Sequence, residues 1–367
     1  MSPRRRAAPA KKTKAPRKKM KPRFALGLGL LLLLAAVPAT AVLWSWWRLN
    51  QPYRGFPGSE KTVLVEPGMG AAEILVLLER EGVLADARLA RAYLVYALGD
   101  PPILAGEYLF DEPASAPAVL RKLVEGDVVS VRATLIEGLT LEESARALAD
   151  RGLGGYDELV AVMRDPAPIA DLDPEAPDLE GYLFPETYTF AKGTPPAEVV
   201  QTLVDTFRAR WREEVAPRAG AAGPGNVREL VTLASIVEKE AKIPGERPTI
   251  AGVYSNRLQR GIGLFADPTV IYALKRQGRW DGNLRRRDLQ MDSPYNTYRY
   301  AGLPPGPICS PGLASLLAAA RPSPVDYLYF VSRNDGTHVF AATAAEHNAN
   351  VERWQRRFWR ERRPASR

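Results

Sequence analysis

The order of apolar and polar residues divides the chain into one continuous apolar run and two regions of alternating character. The run covers residues 24–47 and contains no charged side chain. Beyond it, apolar residues recur at every second position or at helical spacing, which is typical of strands and amphipathic helices around a core. This pattern predicts an α+β fold with a single N-terminal transmembrane helix at 24–47, a stem at 48–60, a small α+β subdomain at 61–128 and a larger α+β domain at 129–359.

The apolar run is long enough to cross a bilayer as a helix, which takes about 20 residues. Three tryptophans lie at its C-terminal end, where indole rings favour the membrane interface. Eleven Lys or Arg residues precede the run between Arg4 and Arg23, and only Arg48 and Arg54 follow it closely. The positive-inside rule therefore predicts a single-pass protein of the cell inner membrane, with residues 1–23 as a basic cytoplasmic tail and the rest in the periplasm.

A cleaved signal peptide is the competing interpretation of the same segment. Ala39-Thr40-Ala41 resembles a cleavage site of small residues after a basic region. The apolar region of a cleavable signal usually spans only about 7–15 residues. Because the stretch from Phe24 to Val42 is longer than that, its length favours a retained anchor.

Short periodic segments define the predicted elements of the subdomain at 61–128. Two of them alternate like strands and three have helical spacing, so they predict a small α+β module. The predicted strands are 62–65 and 106–110, and the predicted helices are 70–81, 87–98 and 114–125.

The larger domain begins with a predicted strand at 131–136. Thr140 and Glu143 have the spacing of a capping box, which predicts that a helix at 141–150 begins there. A further helix is predicted at 229–241 from an apolar stripe. The stripe comprises Leu230, Leu233, Ala234, Val237 and Ala241. Residues 360–367 are predicted as a basic C-terminal tail.

The formal charge of +8 would suit a nucleic-acid-binding protein if it were spread over the fold. However, the eleven cations of the N-terminal arm account for it, and the remainder has 39 basic and 42 acidic residues. A DNA-associated membrane protein that uses this arm is an alternative, but nothing aromatic or glycine-rich in the arm adds specificity. We predict no nucleic-acid partner.

The chain has one cysteine, Cys309, and two histidines, His338 and His347. A single cysteine excludes an intrachain disulfide and a cysteine-based zinc site. The two histidines are nine positions apart and form no HExxH motif, which argues against a catalytic metal. We therefore predict that the protein uses neither a metal nor another cofactor.

Two segments contain candidate binding or catalytic side chains. Residues 180–188 combine the carboxylates Glu180 and Glu186 with the aromatic residues Tyr182, Phe184 and Tyr188 around a Gly and a Pro. Aromatic faces stack on sugar rings and carboxylates hold sugar hydroxyls, so this composition suits a carbohydrate groove. It is equally typical of aromatic anchors in a core, and the residues alone leave both interpretations open.

The second segment is the Glu-Lys-Glu triplet at the end of the predicted helix 229–241. At about 100° per residue, Glu238 and Glu240 flank the apolar stripe on opposite sides. Either carboxylate could therefore lean into a cleft, and periodicity does not choose between them. A solvated helix face is the usual explanation of such a charged run.

Further motifs along the chain support a functional role for the triplet. LEGYLFPETY, LASIVEKE, SNRL, DPTVIYAL, SPYNTY, GLPPGPI and YLYFV occur in this order between about Val131 and Trp354. Together they resemble the MltG (YceG-like) endolytic murein transglycosylases. The anchor and the region 61–128 also match that family's layout, in which a LysM-like subdomain precedes the catalytic domain.

The resemblance implies a catalytic glutamate that aligns with Glu240, with Glu238 as the alternative. Relatives often have Thr at the next position, where this chain has Ala241. The implied reaction cleaves the MurNAc–GlcNAc bond within glycan strands and leaves 1,6-anhydroMurNAc ends. The acid must be protonated near neutral pH, so we expect burial to raise the pKa of Glu240.

The groups expected to seat the sugars lie in the segments after the triplet. They are Asp267, Thr269, Tyr295, Asn296, Thr297 and Tyr298, in addition to Glu180, Tyr182, Glu186 and Tyr188. The implied partners are peptidoglycan glycan strands, the inner membrane and the glycan-polymerising enzymes of cell-wall synthesis. The implied purpose is to terminate or trim nascent strands. A non-catalytic, membrane-tethered peptidoglycan-binding scaffold is the alternative function.

Overall fold

The computed structural model describes residues 22–219, 226–358 and 360 of the chain. The predicted cytoplasmic tail lies outside the described residues except for its last two positions, and the predicted C-terminal tail lies outside them except for Arg360. The chain forms two compact units, with the boundary between Val128 and Val129. Both units combine helices with small antiparallel sheets, which confirms the predicted α+β class.

Helix α1, Pro22–Asn50, contains the predicted transmembrane segment. Its side chains are described at Leu34 and from Ala36 onward. Within the described part of the chain, no helix is long and apolar enough to span a lipid bilayer. The predicted span at 24–47 lies partly outside the residues whose side chains are described, and it stays a prediction.

The N-terminal unit pairs two short strands and packs helices against them. Its elements are β1 (Lys61–Val65), α2 (Ala71–Arg80), α3 (Ala87–Tyr96), β2 (Gly106–Phe110) and α4 (Ala116–Glu125). β1 and β2 are antiparallel, with Lys61 opposite Phe110. All five predicted elements of this unit are present within a few residues of their predicted bounds. The LysM-like character of the unit stays a prediction.

Local signals explain where these elements begin and end. The Asp86 carboxylate accepts the backbone N–H groups of Arg88 and Leu89, which caps α3. Gly126 ends α4 with φ +70°, a left-handed conformation that glycine adopts without steric cost. Both signals act within a few residues of the helix ends.

The first part of the C-terminal unit contains one strand pair and three α-helices. Its first elements are β3 (Ser130–Thr134), α5 (Leu141–Ala149), α6 (Tyr156–Met163), β4 (Thr187–Ala191) and α7 (Pro196–Arg210). β3 and β4 pair antiparallel, although more than fifty residues separate them. Thr140 and Glu143 form the predicted capping box at the start of α5. The segment 180–186 is irregular and contains turns and bends around its Gly and Pro.

The second part of this unit contains the candidate site. Its elements are α8 (Val227–Glu240), α9 (Arg247–Gln259), α10 (Asp267–Arg276), α11 (Leu313–Ala320), β5 (Tyr329–Ser332), β6 (His338–Ala341) and α12 (Ala344–Val351). Single turns of 3-10 helix lie at Ala167–Ile169, Ala216–Arg218, Pro244–Glu246 and Asp288–Gln290, and π-helical turns at Trp211–Val215 and Glu352–Arg357.

Helix α8 is the central helix of the C-terminal unit. Every residue from Leu230 to Val237 is buried, including Thr232 and Ser235, and the predicted stripe residue Ala241 is buried too. A single apolar stripe would bury only one face. Burial all round arises because α9, α10 and α11 all pack against α8. Because the middle of α8 is buried, its charged side chains lie at its two ends.

Candidate active site

Glu240 is the last residue of α8, and the chain turns away immediately after it. Ala241 has extended backbone angles, and α9 starts six residues later at Arg247. Because α9 packs against α8, Tyr254 and Arg257, one turn apart on α9, lie close to the Glu240 carboxyl. Glu240 is half-buried, Tyr254 is buried, and Arg257 is 7% exposed.

The surroundings of Glu240 favour its protonated form. Removal from water raises the pKa of this carboxyl to about 7, and the nearby negative charge of Asp267 adds to the rise. A hydrogen bond from the Tyr254 hydroxyl and the positive charge of Arg257 act in the opposite direction. A carboxyl balanced in this way exchanges a proton near neutral pH, which is what a general acid and base needs.

Arg257 acts on Glu240 through its charge while its hydrogen bonds go to the backbone. Its Nε atom donates to the Leu328 carbonyl at 2.6 Å, and one terminal nitrogen donates to the Leu264 carbonyl at 2.7 Å. These bonds fix the guanidinium between two loops. Burial lowers the pKa of Arg257, and the charge of Glu240 opposes that change.

Asp267 and Tyr298 form the second side of the site. Asp267 is the first residue of α10, and its Oδ1 accepts a hydrogen bond of 2.6 Å from the Tyr298 hydroxyl. The Phe265 ring lies 5.5 Å from the Tyr298 ring, measured between centroids. Asp267 and Phe265 are exposed, so this side faces solvent. It offers a carboxylate, a phenol and an aromatic ring beside Glu240.

Glu238 lies on the same helical turn but has a different environment. Only 6% of its side chain is exposed. One oxygen accepts a hydrogen bond of 3.0 Å from Arg247, and the other accepts one of 3.0 Å from the Gly312 amide at the start of α11. Both oxygens of Glu238, a residue of α8, are therefore occupied by groups at the starts of α9 and α11. This arrangement suits a structural ion pair better than an acid that must meet substrate.

Three of the polar residues predicted to bind sugars hold the loop around the site instead. Thr297 accepts the Ala266 amide at 3.0 Å and lies 3.0 Å from the Thr269 hydroxyl. Asn296 donates to two backbone carbonyls, those of Leu289 and Met291. Thr269, Thr297 and Asn296 are at most 2% exposed. They are positioned to shape the site rather than to contact a sugar.

Glu180 lies in a buried cluster, away from solvent. It is 4% exposed, and its oxygens accept the Leu141 amide at 3.1 and 3.2 Å and the Tyr272 hydroxyl at 3.0 Å. Burial raises the pKa of Glu180 to about 8. Tyr295, 8% exposed, packs with its ring 4.9 Å from that of Tyr272. Glu180 and Tyr295 are therefore packed inside the protein and do not line an open groove for a sugar.

The remaining predicted groove residues also have protein partners. Tyr182 is 1% exposed and donates to Asp173 at 2.5 Å, and Tyr188 donates to the Phe184 carbonyl at 2.7 Å. Glu186 is half-buried and lies 3.4 Å from Arg210. The interpretation of this segment as core anchors therefore fits the structure better than a carbohydrate groove. The aromatic residues pack inward because α7 and β4 flank the segment.

An open surface cleft adjoins the site at Tyr298. It has a volume of about 740 Å³ and is lined by Arg286, Leu289, Gln290, Tyr298 and Arg299. An open cleft admits a polymer from the side, which an enclosed pocket would not. Within the described part of the chain, no group of three or more His, Cys, Asp or Glu residues could hold a metal ion.

Comparisons with known proteins identify the family. The model of the YceG-like family matches residues 63–353. The endolytic murein transglycosylase of Bacillus subtilis (strain 168) is 31% identical over 313 residues, which cover 79% of this chain and 83% of that protein. The chain belongs to the YceG-like family.

Two further relatives agree with this membership. The endolytic murein transglycosylase of Streptococcus pneumoniae (strain D39) is 29% identical over 325 residues, which cover 79% of this chain and 57% of that longer protein. The crystal structure of a YceG-like protein from Listeria monocytogenes superposes with a TM-score of 0.52 at 32% identity, and covers 79% of this chain and 98% of that one. The family resemblance predicted from the motifs is therefore confirmed, and so is the enzyme class, lytic transglycosylase.

Sequence reasoning missed three side chains of this YceG-like site. Tyr254 and Arg257 belong to the segment that contains the SNRL motif, and Phe265 directly precedes Ala266 of the ADPTVIY segment. The i, i+3 spacing of Tyr254 and Arg257 places them on one face of α9, which was an available signal. Phe265 had no such signal, since its position depends on the loop conformation.

Proposed function

We propose that this protein is a membrane-anchored endolytic peptidoglycan transglycosylase. It cleaves the MurNAc–GlcNAc bond within glycan strands and leaves 1,6-anhydroMurNAc ends. The observation that carries the proposal is the position of Glu240, a half-buried carboxyl whose pKa is raised to about 7 next to Asp267 and Tyr298. Tyr298 also lines an open surface cleft. The names of the relatives, endolytic murein transglycosylases, supply the substrate.

One carboxyl is sufficient for this reaction. Protonated Glu240 donates its proton to the glycosidic oxygen, and the bond from that oxygen to C1 of MurNAc breaks. The resulting carboxylate then takes the proton of the MurNAc 6-hydroxyl, whose oxygen forms a bond to C1. Glu240 ends protonated, as it began, and no water is consumed. A hydrolase, in contrast, usually uses two carboxylates, one for the leaving oxygen and one to attack or activate water.

The environment of Glu240 supports both halves of this cycle. Burial and the Asp267 charge keep a large share of the carboxyl protonated near neutral pH, which the first step requires. The Tyr254 hydrogen bond and the Arg257 charge stabilise the carboxylate that the second step uses. Glu238 is placed differently, because Arg247 and the Gly312 amide occupy both of its oxygens.

The test uses the full chain in detergent with purified peptidoglycan, beside the Glu240→Gln and Glu238→Gln variants. Mass spectrometry of the released glycans distinguishes anhydro ends from reducing ends, which are heavier by one water. We expect the parent and Glu238→Gln to cut within strands and to leave anhydro ends. Glu240→Gln should produce no anhydro ends. Retained cutting by Glu240→Gln would reject this residue as the acid. A folded parent that binds glycan but never cuts it would favour the scaffold function.

The anchor at 24–47 is part of the proposal. The described apolar side chains of α1 are largely exposed, among them Leu43, Trp44, Trp46 and Trp47 at 56–67%. Exposed apolar surface of this extent suits an apolar environment. We place the N-terminus in the cytoplasm and both compact units in the periplasm, because the eleven N-terminal cations favour that orientation.

Membrane fractionation and protease protection test this placement. Full-length protein should sediment with the inner membrane and resist carbonate extraction, whereas a variant without residues 24–47 should not. Protease added to spheroplasts should digest the two units and spare a tag at the N-terminus. A tag that is digested from outside would overturn the orientation. Trimming of nascent strands beside glycan-polymerising enzymes is the proposed role of the reaction, and it follows from the family resemblance.

A further inference from the structure

Phe265 combines backbone strain with an exposed aromatic ring. Its φ is +50°, and the residue is 47% exposed. The other two described non-glycine residues with positive φ are Asp100 and Asn334, whose residue types tolerate this region. For a bulky residue the left-handed conformation is an outlier that persists only where the surroundings impose it. An exposed apolar ring gives little stability in return.

Hydrogen bonds on both sides of Phe265 impose its conformation. Arg257 binds the Leu264 carbonyl at 2.7 Å, and the Thr297 carbonyl accepts the Phe265 amide at 3.4 Å. The Thr297 hydroxyl accepts the Ala266 amide at 3.0 Å. Leu264 and Ala266 are buried, so the chain is fixed immediately before and after the strained residue. The loop thus holds the ring of Phe265 out of the core.

The Phe265 ring lies on the side of the site that Asp267 and Tyr298 form. Its centroid is 5.5 Å from that of Tyr298, and the Arg257 guanidinium lies 5.7 Å from it. It folds back over Gly263, where an added Cβ would approach the ring to 2.9 Å. A glycine at 263 therefore leaves room for the ring in this position. Tyr298 in turn binds Asp267, whose charge acts on Glu240.

We infer that the exposed Phe265 ring, flanked by the Tyr298 ring at an interplanar angle of 50°, forms a platform on which a pyranose ring of the glycan stacks next to Glu240. The apolar C–H face of a sugar packs on aromatic rings, and a fixed platform would hold the scissile bond beside the acid. This inference rests on the proposed function and adds the subsite that positions its substrate. Strain kept at a substrate contact is a known use of such conformations.

The first test compares Phe265→Ala, Phe265→Leu and Phe265→Tyr in full-length protein acting on glycan strands stripped of their peptides. We expect Phe265→Ala and Phe265→Leu to lose about tenfold in kcat/KM, mostly through a higher KM, and Phe265→Tyr to stay within about twofold. Leucine keeps apolar bulk without a flat ring, so it separates stacking from simple burial. Equal activity of the Leu and Tyr variants would overturn the inference.

The Phe265→Gly variant distinguishes loss of the ring from loss of the fold. Glycine adopts φ +50° without steric cost, so this variant should show an unchanged or higher Tm and still lose activity. A lower Tm with full activity would contradict the platform. Gly263→Ala is a second route to the same effect, because its Cβ displaces the ring while Phe265 itself is kept.

Tyr300→Ala is the matched control, since Tyr300 is also 47% exposed but has its hydroxyl bound to Asp292. We expect it to keep its activity, and a loss equal to that of Phe265→Ala would overturn the assignment of Phe265.

Binding of the same stripped strands to Glu240→Gln and to Glu240→Gln/Phe265→Ala separates the two proposals. Weaker binding by the double variant alone supports the platform, and equal binding by both rejects it. A parent that binds and does not cut rejects the proposed reaction but leaves the binding comparison readable.

Discussion

The Tyr298 hydroxyl donates a hydrogen bond of 2.6 Å to Asp267, and this carboxylate lies near enough to Glu240 to raise its pKa. Asp267 begins α10 and Tyr298 lies in a turn thirty-one positions later. Their pairing holds a negative charge near Glu240, and Tyr254 and Arg257 act on the same carboxyl in the opposite sense. The protonation of Glu240 is therefore set by groups that the fold brings together, and each can be changed separately.

Asp267→Asn should lower the pKa of Glu240. The variant removes the negative charge that raises this pKa, while burial, the larger cause, is retained. Because the protonated acid starts the reaction, kcat/KM should fall as pH rises through the Glu240 pKa. The falling limb should therefore move to lower pH in Asp267→Asn. A pH–rate profile measures this shift, and an unmoved limb would show that another group controls it.

Tyr254→Phe should have the opposite effect. The Tyr254 hydroxyl stabilises the Glu240 carboxylate, so its loss should raise the pKa of Glu240 and move the falling limb to higher pH. The second half of the reaction also loses a donor, and the maximal rate should decrease. The two variants serve as controls for each other. Shifts in the same direction would mean that general damage, not Glu240, is being measured.

Glu238→Gln should destabilise the protein without removing its chemistry. Glu238 joins Arg247 to the start of α11, and loss of one charge from a largely buried pair costs about 2–4 kcal/mol in the free energy of unfolding. Urea titration of the variant and the parent gives this difference. The folded fraction should keep the parent's turnover. Loss of turnover at full stability would instead assign the acid to Glu238.

Glu180→Gln should change how stability depends on pH. Burial raises the pKa of Glu180 to about 8 in the folded state, against 4.5 for the free group. Between these values unfolding releases its proton, so this group's contribution to stability is full below pH 4.5 and declines as pH rises to about 8, by at most about 1.4 kcal/mol per pH unit. Glutamine does not ionise and lacks this decline.

The stability of Glu180→Gln relative to the parent should therefore increase from pH 5 to pH 8. Denaturant titrations across this range measure the difference. Glu186→Gln on the same segment is the control for the loss of a carboxylate as such, because its half-buried side chain lies outside the Glu180 cluster and is paired with Arg210. A flat difference for Glu180→Gln would mean that Glu180 is ionised in the folded protein.

Sequence alone determined the features that depend on neighbouring residues. The alternation at 106–110, the capping box at Thr140 and the apolar stripe of α8 all involve contacts within a few positions, and the structure has each of them. The ordered motifs likewise identified the family. The same local logic placed Glu238 and Glu240 on one helical turn and could go no further, since both flank the stripe.

Tertiary structure decided what these groups do. Arg247 and Gly312 engage Glu238, whereas Asp267 and Arg257 surround Glu240, and none of these contacts follows from helical spacing. The aromatic segment at 180–188 turned inward for the same reason, because burial depends on which helices pack against it. Periodicity reports which residues share a face. Which partner covers that face, and how far water is excluded from a carboxyl there, is a property of contacts between distant parts of the chain.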